Sequence, residues 1–197
     1  MTGRVEVVVG PMFAGKTEEL LRRVRRAQVA GRAVEVVSHA LDVRRGAGRV
    51  STHFGLAVPS RIASHAVDVA AARDPETELL AVDEAQFFGP DLVDVVERLA
   101  DEGLVVVVAG LDVTYDQRPF EPMATLATLA ERTDRLLAVC AVCGEDAPFH
   151  VRVVEPTSDD AAAAPTAEHV GGSEKYQARC RAHLDAPPWS EPATPAR

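Results

Sequence analysis

Gly10-Pro11-Met12-Phe13-Ala14-Gly15-Lys16-Thr17 follows the apolar run Arg4-Val5-Glu6-Val7-Val8-Val9 and precedes a stretch with helical periodicity. It matches G-x-x-x-x-G-K-[ST], and a strand before with a helix after is the context in which that pattern cradles phosphate. The glycines let the backbone curl so that successive N–H groups face inward, and the helix N-terminus adds partial positive charge. Lys16 is placed to reach the β- and γ-phosphates of a nucleotide, and the Thr17 hydroxyl to ligate Mg²⁺. The competing reading, a glycine-rich turn formed by chance, has to explain both the complete pattern and its context.

Downstream, Leu20, Val24 and Ala27 recur at i, i+4 and i+7, which predicts a helix over 18–30 with one buried face, ended by Gly31. Arg22, Arg23, Arg25 and Arg26 cluster beside that face and read as a solvated surface in preference to a phosphate site. Further strands are expected at 33–37, 79–82, 104–109 and 135–139, with a helical stripe of Leu92, Val95, Val96 and Leu99 between two of them. Residues 41–64 read as loop. This alternation predicts an α/β fold of the P-loop NTPase (RecA-like) type, a mainly parallel sheet with helices on both faces. Such sheets bind ligands beyond the carboxyl ends of their strands.

Leu79-Leu80-Ala81-Val82-Asp83-Glu84 is an apolar run closed by two carboxylates. Asp83 fits the acid that holds Mg²⁺ in P-loop sites. Strand alternation would turn Glu84 to the side opposite Asp83, as a base taking a proton from a hydroxyl acceptor. Two acids that merely cap a strand are the alternative, and the pair does not say whether water or an organic hydroxyl is served.

The chain has three cysteines, Cys140, Cys143 and Cys180. An odd count argues against a disulfide framework. Cys140-x-x-Cys143 and Cys180-x-x-His183 supply three thiolates and an imidazole, a closed tetrahedral set for a structural Zn²⁺. Buried free thiols and a surface histidine are the other possibility. The residues divide into a P-loop ATP-binding domain over 1–139, a small C-terminal zinc-binding unit over 140–184 and a proline-rich flexible tail over 185–197. Net charge is −9, a poor balance for gripping a nucleic-acid polymer, and no apolar run is long enough to span a membrane. With no signal-peptide layout at the first residues, a cytoplasmic location is expected.

Together these pieces resemble the type II thymidine kinases. The signatures are residues 10–17, Asp83-Glu84-Ala85-Gln86-Phe87-Phe88, Gly110-Leu111-Asp112-Val113-Thr114-Tyr115, Gly171-Gly172-Ser173-Glu174-Lys175-Tyr176, and the cysteine–histidine quartet. The resemblance implies transfer of the ATP γ-phosphate to thymidine, with deoxyuridine a weaker substrate, in nucleotide salvage. It implies a homotetramer, feedback by dTTP, and a lasso over 144–176 that closes on the base. By position, Gly10, Pro11, Met12, Phe13, Ala14, Gly15, Lys16, Thr17, Asp83, Glu84, Ala85 and Gln86 would bind ATP, and Glu84 would be the catalytic base. Met12, Phe87, Tyr115 and Tyr176 would line the nucleoside pocket. Asp42 and Arg44 would sit near the phosphates and metal, and Arg152 would be a further phosphate contact. Core packing is the alternative for the three aromatics. Ser38-His39 and His150 depart from the family pattern. A P-loop ATPase driving conformational work and a zinc-ribbon nucleic-acid-binding module are the rival functions.

Overall fold

β1 (Arg4–Val9) is buried along all but its first residue, as befits a strand covered on both faces. The computed structural model describes residues 3–41, 49–51, 57–71, 73–154 and 175–185. In it β1 lies between β7 (Val105–Gly110) and β8 (Arg132–Arg135). With β2 (Val34–His39), β5 (Arg61–Ala63) and β6 (Leu79–Asp83) they form one sheet in the order β5-β2-β6-β7-β1-β8. Every pairing in this sheet is parallel.

The alternation of side chains along the strands sends each valine to a defined layer. On one face, Val8, Ala81 and Val107 meet Leu20, Leu21 and Val24 of α1 (Lys16–Val29). On the other, Val7, Val9, Leu80, Val82, Val106 and Val108 pack beneath α2 (Ala66–Ala71), α3 (Leu92–Asp101) and α4 (Met123–Leu129). Each fully buried valine stabilises the sheet by about 1.5–3 kcal/mol. The expected stripe is the buried face of α3, with Leu92 and Val96 fully buried.

The expected strand at 135–139 is corrected to two short strands. β8 ends at Arg135, and β9 (Ala138–Val139) turns away to pair antiparallel with β10 (Asp146–Ala147). The loop expected at 41–64 holds β5 and an antiparallel pair, β3 (Arg49–Ser51) with β4 (Ala57–Pro59). The arginine cluster on α1 is solvated only in part. Arg22, Arg25 and Arg26 are exposed, but Arg23 is buried, because Glu6, Glu19 and Asp134 surround its guanidinium.

The C-terminal part builds a second, smaller core of Ala138, Cys140, Val142, Ala147 and Ala178, against which Ala14 of the phosphate loop packs. β11 (Phe149–Arg152) and β12 (Tyr176–Arg179) pair antiparallel beside it. Residues 155–174 and 186–197, which hold most of the expected lasso and the tail, lie outside the described residues, as do 42–48. Among the described residues no helix is long and apolar enough to cross a membrane.

Candidate active site and metal centre

Residues 10–17 leave the carboxyl end of β1 and enter α1 directly. Gly15 has φ 82°, a left-handed conformation suited to glycine. Gly10 has φ 150°, and a Cβ there would lie 2.5 Å from the Leu136 carbonyl oxygen. The loop is therefore closed by the chain leaving β8. Lys16 Nζ donates to the Pro11 carbonyl at 2.8 Å, folding the side chain back across the loop. Thr17 Oγ1 donates to Asp83 Oδ2 at 3.0 Å. The phosphate loop and the acid at the end of β6 thus meet on one edge of the sheet. The hydroxyl and carboxylate are hard oxygen donors, of the kind Mg²⁺ takes while keeping several waters.

Strand alternation does not set the direction of Glu84, because β6 stops at Asp83. Glu84 is left-handed, with φ 50° and ψ 42°, and opens the 3₁₀ turn Ala85–Phe88. A non-glycine residue in that region costs about 1–2 kcal/mol. Asp83 Oδ1 helps hold it by accepting the Glu84 N–H at 3.0 Å. Gln86 is buried, and its Nε2 donates to Glu84 Oε2 at 2.6 Å. Leu111 N–H donates to Gln86 Oε1 at 3.1 Å.

Met12 and Tyr176 come together in one buried cluster with Leu111 and Phe120, and Tyr115 packs against it. Leu111 and Phe120 were not anticipated. The signal for Phe120 is the tight reversal at 114–118, where Thr114 N–H donates to the Arg118 carbonyl and Val113 bridges Pro119. That reversal carries Phe120 back beside the strand end. Phe87 is buried outside this cluster, 5.7 Å from the ring of His39. Tyr176 stands opposite Arg152 in the β11–β12 ladder and meets His150 edge-on at 5.8 Å. Asp42, Arg44 and residues 171–174 lie outside the described residues.

His39 closes β2 and was noted only as a departure from pattern. Its ring packs edge-on against Phe88 at 4.6 Å. Leu41 N–H donates to Nδ1 at 3.1 Å, so the proton sits on Nε2, which donates to the Ser64 carbonyl at 3.1 Å. Burial pushes its pKa below the usual histidine value, against an opposing pull from the Ser64 carbonyl.

Cys140, Cys143, Cys180 and His183 converge so that their ligand atoms all lie within 4.8 Å of one another. Cys143 Sγ and Cys180 Sγ are 3.7 Å apart, far beyond a disulfide bond. Tetrahedral Zn–S bonds of about 2.3 Å require a sulfur–sulfur edge of about 3.8 Å. His183 Nδ1 lies 3.2 Å from Cys180 Sγ and 4.0 Å from Cys140 Sγ. Burial opposes ionisation of Cys140, but N–H groups of Cys180, Cys143 and Val142 outweigh it and lower the thiol to about 6. The four side chains fit a zinc ion with no open position, a structural arrangement.

A parallel sheet with this loop, this acid pair and this closed cysteine–histidine set defines a protein of the P-loop α/β class with an appended set of zinc-type ligands. The thymidine kinase family model matches residues 3–184. A thymidine kinase of Bdellovibrio bacteriovorus is 41% identical over 189 residues, covering 94% of this chain and 89% of its own. Those of Halobacterium salinarum and Pyrobaculum aerophilum are each 40% identical, covering 91% and 92% of this chain and 93% and 98% of theirs. The chain belongs to the thymidine kinase family.

Proposed function

We propose that the protein transfers the γ-phosphate of ATP to the 5′-hydroxyl of thymidine, giving dTMP for nucleotide salvage, with deoxyuridine a weaker acceptor. The observation that carries this reading is the Thr17–Asp83 hydrogen bond, which joins the phosphate loop to the acid pair. Residues 10–17 and 83–86 form the ATP site. Thr17 and Asp83 would hold the Mg²⁺ that accompanies ATP, which when bound offsets charge on the phosphates. Lys16 stabilises charge on the equatorial oxygens, where most catalysis of this reaction resides. Arg44 and Arg152 keep the phosphate-side roles implied by the resemblance.

Glu84 takes the 5′-hydroxyl proton as the oxygen attacks phosphorus. The cluster of Met12, Tyr115 and Tyr176, with Phe120, supports an aromatic-walled nucleoside pocket, since a flat pyrimidine favours aromatic faces. We take Phe87 as a further wall of it. The cytoplasmic location, the homotetramer and dTTP feedback belong to the same proposal.

Incubation with ATP, Mg²⁺ and each of the four deoxynucleosides tests it. Thymidine-dependent formation of monophosphate is expected, and ATP turnover indifferent to nucleoside would point to an ATPase instead. Glu84→Gln should keep ATP binding and lose turnover by ~10²-fold or more. Near-normal turnover in that variant would reject the base assignment.

A further inference from the structure

We infer that Gln86 is a positioning residue for the base: its side-chain amide holds the Glu84 carboxylate in the orientation from which it accepts the nucleoside proton. This rests on the assignment of Glu84 made above. Glu84 has left the strand, and its side chain is only half-buried. A free glutamate of this length spreads over several rotamers, and fixing one costs up to about 2 kcal/mol of side-chain entropy. Gln86 supplies that restraint from a site that is 1% exposed.

The orientation of the amide follows from the backbone. Leu111 N–H is a donor, so the atom 3.1 Å from it must be the amide oxygen. The NH₂ end is thereby committed to Glu84 Oε2, at 2.6 Å. Gly110 makes room for the amide, because a Cβ there would lie 2.7 Å from Gln86 Oε1 and 2.8 Å from the Met123 sulfur. The end of β7 is thus shaped to seat this side chain. An amide donor favours an ionised carboxylate and fixes one of its oxygens. The other, Oε1, is the atom to which the proton passes.

A buried glutamine that only satisfies Leu111 would affect folding and leave proton transfer untouched. Among the described residues, the charged and titratable groups bonded to or packed on this turn include Asp83, which precedes Glu84 and is bonded to Thr17, and His39, which faces the turn from β2. None of them changes in the variants below.

The test is steady-state kinetics on the full chain with ATP and thymidine. In Gln86→Leu, kcat at saturating ATP and thymidine should fall by ~10-fold or more. In Gln86→Glu an acceptor for Leu111 N–H is kept and the amide donor to Glu84 is lost, so kcat should fall comparably. Adding Gln86→Leu to Glu84→Gln should cost no more than about two-fold beyond Glu84→Gln alone, because the amide then has no base to position. Multiplicative losses in the double variant, or an unchanged kcat in Gln86→Leu, would overturn the proposal. Should Gln86→Leu fail to fold, Gln86→Glu retains an acceptor for Leu111, and wild-type kcat in it is refuting by itself. Normal turnover in Glu84→Gln would remove the base assignment and this inference with it. Lost turnover in Glu84→Gln beside wild-type behaviour of both Gln86 variants would remove the positioning role alone.

Discussion

Replacing Arg23 by methionine tests how α1 is fastened to the sheet edge. The Arg23 side chain is 7% exposed and meets three acids: Glu6 on β1 at 2.8 Å, Glu19 on its own helix at 2.9 Å, and Asp134 on β8. Removing one member of a buried ion pair typically costs about 3–5 kcal/mol, because the remaining charge stays desolvated. Here each acid keeps a second guanidinium toward the solvent: Arg4 on Glu6 at 2.7 Å, Arg22 on Glu19 at 2.6 Å and Arg132 on Asp134 at 2.7 Å. That relief puts the expected loss at about 3 kcal/mol, the low end of the range. For a chain of this size it corresponds to a melting temperature lower by about 6–12 °C. Urea unfolding followed by circular dichroism at fixed protein concentration measures it. Arg25→Met, on the exposed side of the same helix, should stay within about 0.5 kcal/mol of wild type. A loss below about 1 kcal/mol for Arg23→Met would refute the reasoning. The network also governs acid stability. Hydrogen bonding to Arg22, opposed by burial and aided by Arg23, lowers Glu19 to about 2. Its contribution is complete above the ordinary glutamate value and is lost as pH falls through about 2, so Arg23→Met should flatten that acid limb.

Three other outcomes are expected. His39 is held neutral by burial, so the unfolded chain takes up its proton first as pH falls below 6.5, and stability should decline from there downward; melting curves of wild type and His39→Phe between pH 5 and 8 should differ in slope. Cys143→Ser should release zinc in a metal assay, lower the melting temperature, and raise KM for ATP, because Ala14 of the phosphate loop leans on the same small core. Gly10→Ala should abolish ATP binding in a titration, since the added methyl meets the Leu136 carbonyl at 2.5 Å in a backbone conformation that disfavours a side chain.

What could be read from residue order was whatever repeats or matches a pattern. The phosphate loop, the acids at and after the end of β6 and the metal quartet are local spellings of chemistry; Thr17 of the loop reaches Asp83, and the four quartet side chains converge on one another. Arg23 was misjudged because three neighbouring arginines on α1 do face solvent, and the acids that bury it come from β1 and β8. The strand at 135–139 was misplaced for a related reason. Leu136-Leu137-Ala138-Val139 is the apolar run, but β8 is Arg-Thr-Asp-Arg, an edge strand held by its pairing with β1 and by charge. Strand alternation does not decide where Glu84 points, because it applies only while the backbone stays extended, and nothing in Asp-Glu-Ala-Gln announces a left-handed residue.

The position of β1 has a consequence for how the chain is made. Arg4 pairs with Val105 and Glu6 with Arg132, so the strand that carries the phosphate loop leaves the ribosome about a hundred residues ahead of either neighbour and must wait for both. At ordinary elongation rates roughly a hundred intervening residues take about 5–20 s to synthesise. Through that interval Val5, Val7, Val8 and Val9 form a naked adhesive segment in the nascent polypeptide, a natural foothold for chaperones that shelter unfinished strands.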